Sequence, residues 1–277
     1  MKIVKFQPNP NSKAHVIGYL HDVSVEMPKR TERPCVVIYP GGGYVFLSDR
    51  EADPPAMAFF ARGYQVFILD YSIKGDATQL RPLIDGSLTL MKIRENSKEW
   101  HVVPNQIAVL GFSAGGHAAA SLGTLWDSPE LKAKIDTKGG GNRPDAMILC
   151  YAVITAGLKS HRDSIEALCG GKPTPEQVRF YSLEKHVGAD TPPTFLWHTH
   201  QLPHCVSDED DCVPVENAMM FAAALREHGV PFECHIFQKG GHGMSVCNVE
   251  VGCPLAHNAI WVRLAMEWLS DLFQFPA

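Results

Sequence analysis

A mostly parallel sheet with helices on both faces, the α/β class, is the architecture this sequence predicts. Three observations carry it. Short apolar runs such as Cys35-Val36-Val37-Ile38-Tyr39 contain no polar break, as in strands covered on both faces. These runs alternate with helical segments of roughly 10–15 residues, the rhythm of strand–helix–strand units. Several runs stop at glycine-rich turns, where reactive groups gather in such sheets.

The elements follow in order. The strand at 35–39 stops at Pro40-Gly41-Gly42-Gly43. Pro54 to Arg62 reads as a helix closed by Gly63, a favoured C-terminal cap. The next strand is Tyr64 to Tyr71. Pro82 to Glu95 follows as a helix with a loose apolar face of Leu83, Ile84, Leu88, Met91 and Ile93. Ile107 to Phe112 is the third strand, and Ser113 opens a helix of small residues to about Thr124. Ala146 to Tyr151 is the fourth strand. Residues 155–190 are less periodic and read as a small insertion with short helices. Thr194 to His198 is the fifth strand, Val215 to His228 a helix, Pro231 to Phe237 the sixth strand, and Asn258 to Phe273 a closing amphipathic helix. With no linker or repeat, the expectation is one domain over residues 1–277.

Composition narrows the functions. The 277 residues are 45% hydrophobic with a net charge of −5, which excludes wholesale disorder and gives no basic footprint for nucleic acid. No apolar run approaches the roughly 18 residues of a membrane helix. Met1-Lys2-Ile3-Val4-Lys5-Phe6 runs straight into polar sequence, without the longer apolar core of a secretory leader, so a cytoplasmic location is expected. The eight cysteines are spread through a chain large enough to need no disulfides, and free thiols are expected. A homo-oligomer is left open.

The chemistry begins at Gly111-Phe112-Ser113-Ala114-Gly115. This is G-x-S-x-G in a strand–turn–helix setting, the arrangement that lifts a serine hydroxyl clear of a sheet as a nucleophile. The bland reading, a serine capping a helix after a glycine turn, is weakened because partners exist elsewhere. Tyr39-Pro40-Gly41-Gly42-Gly43-Tyr44 holds the place of an oxyanion-binding loop. Gly42, Gly43 and the N–H of Ala114 are the expected donors, and Tyr44 a candidate substrate contact. Gly240-Gly241-His242-Gly243 follows the last strand, where an imidazole can reach over the sheet edge as general base. His117, one turn into the small-residue helix, reads as structural. Ser207-Asp208-Glu209-Asp210-Asp211 lies between the fifth strand and its helix, in the chain order serine, acid, histidine. Spacing alone does not choose among Asp208, Asp210 and Asp211.

With these motifs, and with Ile107 through His117, Trp197-His198-Thr199, Val213-Pro214-Val215-Glu216-Asn217 and Lys239 through Gly243, the sequence resembles the α/β-hydrolase fold esterases. It is most similar to small bacterial acetylesterases and acetyl-xylan-esterase-like carboxylesterases, relatives of the prolyl-oligopeptidase-type hydrolases. The resemblance spans about Pro34 to Leu272. It implies that the acid lies four residues before Pro214, at Asp210. It implies short acyl groups, acetyl above all, on sugars or similar alcohols, and no metal or organic cofactor. The chain departs from the pattern at Gln201 to Glu209, an extra segment expected at the pocket rim, with Cys205 and Cys212 near the Cys247–Cys253 loop. Arg50-Glu51 also matches, with no role derivable from sequence.

The leading function is therefore a serine carboxylesterase working through an acyl-enzyme on a small-molecule ester. Amide cleavage by a peptidase or formamidase on the same fold is the alternative. A catalytically inactive binding protein is weaker, since all three catalytic residue types are present. A metal site at His200, His204, Cys205 and Cys212 matches no structural zinc spacing.

Overall fold

The computed structural model describes residues 1–200 and 212–276. Eight strands form one sheet in the order β1-β2-β4-β3-β5-β6-β7-β8. Strands β3 (Arg33–Tyr39), β4 (Gln65–Asp70), β5 (Val102–Phe112), β6 (Ala146–Cys150), β7 (Thr194–Thr199) and β8 (Phe232–Phe237) run parallel. Every residue of β3, β6 and β7 is buried, as their unbroken apolar sequences require.

Alternate residues of these strands feed two cores. Cys35, Val37 and Tyr39 pack into one with Leu83, Leu90, Leu122 and Phe221. Val36 and Ile38 pack into the other with Phe59, Trp261, Leu269 and Phe273. Thus α2 (Arg81–Glu95), α3 (Ser113–Leu125) and α7 (Glu216–Glu227) cover one face, and α1 (Asp53–Ala61) and α8 (Ala256–Phe273) the other. Proline in the first turn of α1 and α2 costs no hydrogen bond there. Gly63, at φ +95°, takes the left-handed conformation just past α1.

Two strands were not expected. β1 (Lys2–Phe6) and β2 (His15–Leu20) extend the sheet antiparallel beyond β4. Both are short and alternate in burial, so the sequence has no continuous apolar run there. β5 begins at Val102 rather than Ile107, because Val102 pairs with Arg33 across a register shift. A four-residue helix, α4 (Pro129–Lys132), follows α3. The weakly periodic stretch at 155–190 holds α5 (Arg162–Cys169) and α6 (Pro175–Phe180). The latter starts with a capping box between Thr174 and Gln177. No helix among the described residues is long and apolar enough to cross a membrane.

The topology sets the position of the chemistry. From β3 the chain moves outward to β4, then returns to the other side of β3 as β5. Tyr39 and Gly111 are register partners across that switch, so the loops that leave β3 and β5 open side by side at the carboxyl edge.

Candidate active site

Ser113 sits between β5 and α3 with φ +52°, a left-handed backbone rarely adopted by a residue with a side chain. Crowding around the turn explains its glycines. A Cβ on Gly111 would lie 2.4 Å from the Gly115 carbonyl oxygen, and one on Gly115 would lie 2.2 Å from that of Tyr39. Only glycine lets α3 approach β3 and β5 this closely, which turns the serine outward. The Ser113 carbonyl accepts the Val153 N–H at 3.0 Å, tying the elbow to the segment after β6.

The Ser113 hydroxyl meets His242 Nε2 at 2.7 Å. The imidazole packs edge-on against the Tyr151 ring, with centroids 4.9 Å apart. Burial, and then the neighbouring His198, His161 and Arg50, pushes the His242 pKa down to about 3. The imidazole is therefore neutral near pH 7, so Nε2 can accept the serine proton.

The loop after β3 faces this pair. Gly42 has φ +126°, and a Cβ there would lie 2.1 Å from the Phe46 carbonyl oxygen. Its own carbonyl accepts the N–H groups of Val45 and Phe46. The Gly41 N–H is taken by Glu51 Oε2 at 2.9 Å. Among the described residues the N–H groups of Gly42 and Gly43 meet no protein acceptor. That of Ala114 lies in the first turn of α3, where no intrahelical acceptor exists. None of these three donors has a protein acceptor among the described residues.

The expectation for the Tyr44 side chain is corrected. It is 1% exposed, and its hydroxyl donates to His117 Nδ1 at 2.8 Å, while His117 Nε2 donates to the Tyr181 carbonyl. Tyr44 anchors the loop to α3, and its ring is not a substrate contact. His117, as expected, is structural. Burial pushes its pKa down to about 4.

Asp210, with Asp208, Asp211, Cys205 and the extra segment Gln201–Glu209, lies outside the described residues. The chain enters that stretch at the carboxyl end of β7, where the His200 N–H donates to the Phe237 carbonyl at 2.7 Å. It leaves at Cys212, before the buried Val213. Asn217, fully buried, braces the exit. Its Oδ1 accepts the N–H groups of Ile154 and Thr155, and its Nδ2 donates to the carbonyls of Lys159 and Pro214. Among the described residues, no cluster of three or more His, Cys, Asp or Glu side chains is arranged for a metal ion.

Sequence reasoning missed the buried partners. Glu51, Tyr151 and Ser245 form a hydrogen-bonded chain behind the pair: Tyr151 donates to Glu51 Oε1 at 2.6 Å and accepts the Ser245 N–H at 2.8 Å. His161 also faces the cleft. Its Nδ1 is engaged by Ser164, and its Cε1 lies 3.9 Å from the position of a Cβ on Gly43. Spacing carries no signal for these residues, since each acts across a gap of many residues. The match of Arg50-Glu51 to the family pattern was the only available hint, and it carried no role.

Known proteins resemble this chain in sequence and in fold. The BD-FAE family model matches residues 22–225, and that of the prolyl oligopeptidase family matches residues 178–274. The chain is 38% identical over 246 residues to endo-1,4-beta-xylanase B of Butyrivibrio fibrisolvens, covering 85% of this chain and 35% of that protein. It is 28% identical over 225 residues to an acetylxylan esterase of Xylanibacter ruminicola, covering 78% of this chain and 42% of that protein. The chain thus spans well under half the length of these two curated relatives. Among solved structures, an acetyl ester-xyloside bifunctional hydrolase from Caldicellulosiruptor lactoaceticus superposes with a TM-score of 0.81 at 35% identity, covering 98% of this chain and 92% of that one. On this evidence the chain has the α/β-hydrolase fold and belongs to the BD-FAE family.

Proposed function

We propose that the chain is a serine carboxylesterase that hydrolyses short-chain esters, acetyl above all, of sugars or similar alcohols through an acyl-enzyme. The observation that carries this reading is the 2.7 Å contact of the Ser113 hydroxyl with His242 Nε2, beside the open N–H groups of Gly42 and Gly43. The relatives named for acetylxylan and acetyl-ester hydrolysis support the substrate class.

In this reading Ser113 Oγ bonds to the ester carbonyl carbon as its proton passes to His242 Nε2. The carbonyl oxygen becomes an oxyanion held by the N–H groups of Gly42, Gly43 and Ala114. Collapse breaks the bond to the alcohol oxygen, which takes the proton from His242 and leaves. Water then attacks the acyl-serine with His242 again as base, releasing the acid and restoring the hydroxyl. Asp210 is assigned to hold the imidazole from its Nδ1 side. No step calls on a metal or organic cofactor.

The test is a substrate series: acetylated xylo-oligosaccharides and p-nitrophenyl acetate, butyrate and octanoate, beside an aminoacyl anilide. The expected order has acetyl esters fastest. A prolyl oligopeptidase match over residues 178–274 favours the amide alternative, and an anilide cleaved faster than any ester would establish that reading instead.

A further inference from the structure

Arg50-Glu51 has a place in the sequence motif but no part in the reaction written above. We infer that Glu51 is a positioning residue that fixes the oxyanion loop and the imidazole loop in one register, an inference that rests on the esterase reading.

The carboxylate is 2% exposed and has no cation in salt-bridge contact among the described residues. Its two oxygens serve two different loops. Oε2 accepts the Gly41 N–H, one residue before the oxyanion donor Gly42. Oε1 accepts the Tyr151 hydroxyl, at the end of β6. Tyr151 in turn accepts the N–H of Ser245, three residues after His242, and its ring packs against the imidazole. Ser245 closes the circuit, its hydroxyl donating to the carbonyl of Arg50, beside Glu51 itself. Trp261 adds a donor from α8 to the Ser245 carbonyl at 2.9 Å. The loop after β3 and the end of β6 therefore meet at the Glu51 side chain, and the loop after β8 joins them through Tyr151 and the Arg50 carbonyl.

Direction matters in this circuit. Ser245 N–H points to Tyr151, Tyr151 O–H points to Glu51, and Gly41 N–H points to Glu51. Both hydrogen bonds that end on Glu51 are donated to it, so the ionised form accepts both and a protonated acid would face a donor. Burial pushes the carboxyl up from its ordinary value, and Tyr151, Gly41 and Arg50 pull it back. Tyr151 is held at φ +37°, a conformation that persists only where its surroundings enforce it. By occupying the Gly41 N–H, Glu51 also decides that Gly42 and Gly43, rather than Gly41, are the open donors.

Glu51→Gln places an amide N–H₂ against one of the two donors and breaks one link. Tyr151→Phe keeps the ring on His242 and removes the other. Active sites are counted by labelling Ser113 to completion with a fluorophosphonate and weighing the intact protein. Turnover of p-nitrophenyl acetate is then expressed per labelled site. Each variant should lose on the order of 10- to 100-fold in kcat per site, less than the 10²–10³ of deleting an oxyanion donor. KM should move less than about threefold. The double variant should resemble the worse single, because both cut one chain. If Glu51→Gln fails to fold, Tyr151→Phe carries the test alone. A lower melting temperature with kcat per labelled site within about twofold of the parent would overturn the inference, leaving Glu51 a scaffold residue only. Ser113→Ala separates the two ideas: full hydrolysis in that variant would sink the esterase reading itself, whatever Glu51 does.

Discussion

On one side of the cleft, Ser113 is seated by crowding among near neighbours, with Gly111 and Gly115 pressed so closely on α3 and β3 that no Cβ fits. On the other side, His242 is seated by hydrogen bonds that reach far along the chain: Ser245 to Tyr151 and Arg50, Trp261 back to Ser245, and Asn258 Nδ2 to the Lys239 carbonyl at 2.7 Å. The elbow is rigid through van der Waals contact within one strand–turn–helix unit. The imidazole loop borrows its rigidity from β6, α8 and the turn before α1. The difference teaches where each fails. The elbow tolerates no added atom in its turn, whereas the imidazole loop can be loosened by removing one hydroxyl some ninety residues away.

The largest effect expected is on the elbow. Ser113→Ala should lower ester hydrolysis at least 10⁴-fold while leaving the melting temperature almost unchanged, since the left-handed backbone and its neighbours remain. Thermal melting beside an activity assay checks both halves. Next comes the acid. Asp210→Asn should cost on the order of 10⁴ in kcat, by favouring the wrong imidazole tautomer. Asp208→Asn and Asp211→Asn should cost far less; if Asp208→Asn is the damaging change, the assignment by distance from Pro214 is wrong.

Adjacent glycines sharpen the comparison further. Gly42→Ala pushes a Cβ onto the Phe46 carbonyl, and it should cost about 10²–10³ in kcat by turning the donor away. Gly43 has φ +64° and no atom nearer than 3.7 Å to such a Cβ, so Gly43→Ala should cost under about tenfold. Equal losses would mean that crowding does not shape this loop.

The smallest effect concerns pH. His117 has its pKa pushed down to about 4 by burial, below the roughly 6.5 of an unfolded chain. The unfolded state takes up the proton first. Stability is therefore full above about pH 6.5 and is lost as pH falls toward 4, by on the order of 3 kcal/mol from this residue. His117→Gln can keep the bonds to Tyr44 and Tyr181 without titrating. Its melting temperature should fall less steeply between pH 6.5 and 4 than that of the parent, and an identical slope would contradict the assignment.

What could be read from the sequence follows the same division. Gly111-Phe112-Ser113-Ala114-Gly115 is legible because everything that shapes it lies within a few residues. So are the buried parallel strands, whose apolar runs are continuous. β1, at the sheet edge, and β2 beside it escaped because half-exposed strands need only alternate burial. Tyr44 was misjudged because nothing nearby says that its hydroxyl meets His117, 73 residues on. Glu51 was noticed and left unexplained for the same reason: Tyr151 is 100 residues away.

The indole of Trp261, bonded to the Ser245 carbonyl, also stacks on Trp197, with ring centroids 5.2 Å apart and planes 21° from parallel. Two indoles held that closely couple their electronic transitions, and the coupling changes in size and sign when either ring turns. The molecule thus carries an optical gauge of its own histidine loop. Near-ultraviolet circular dichroism can follow that loop during turnover or denaturation with no label attached.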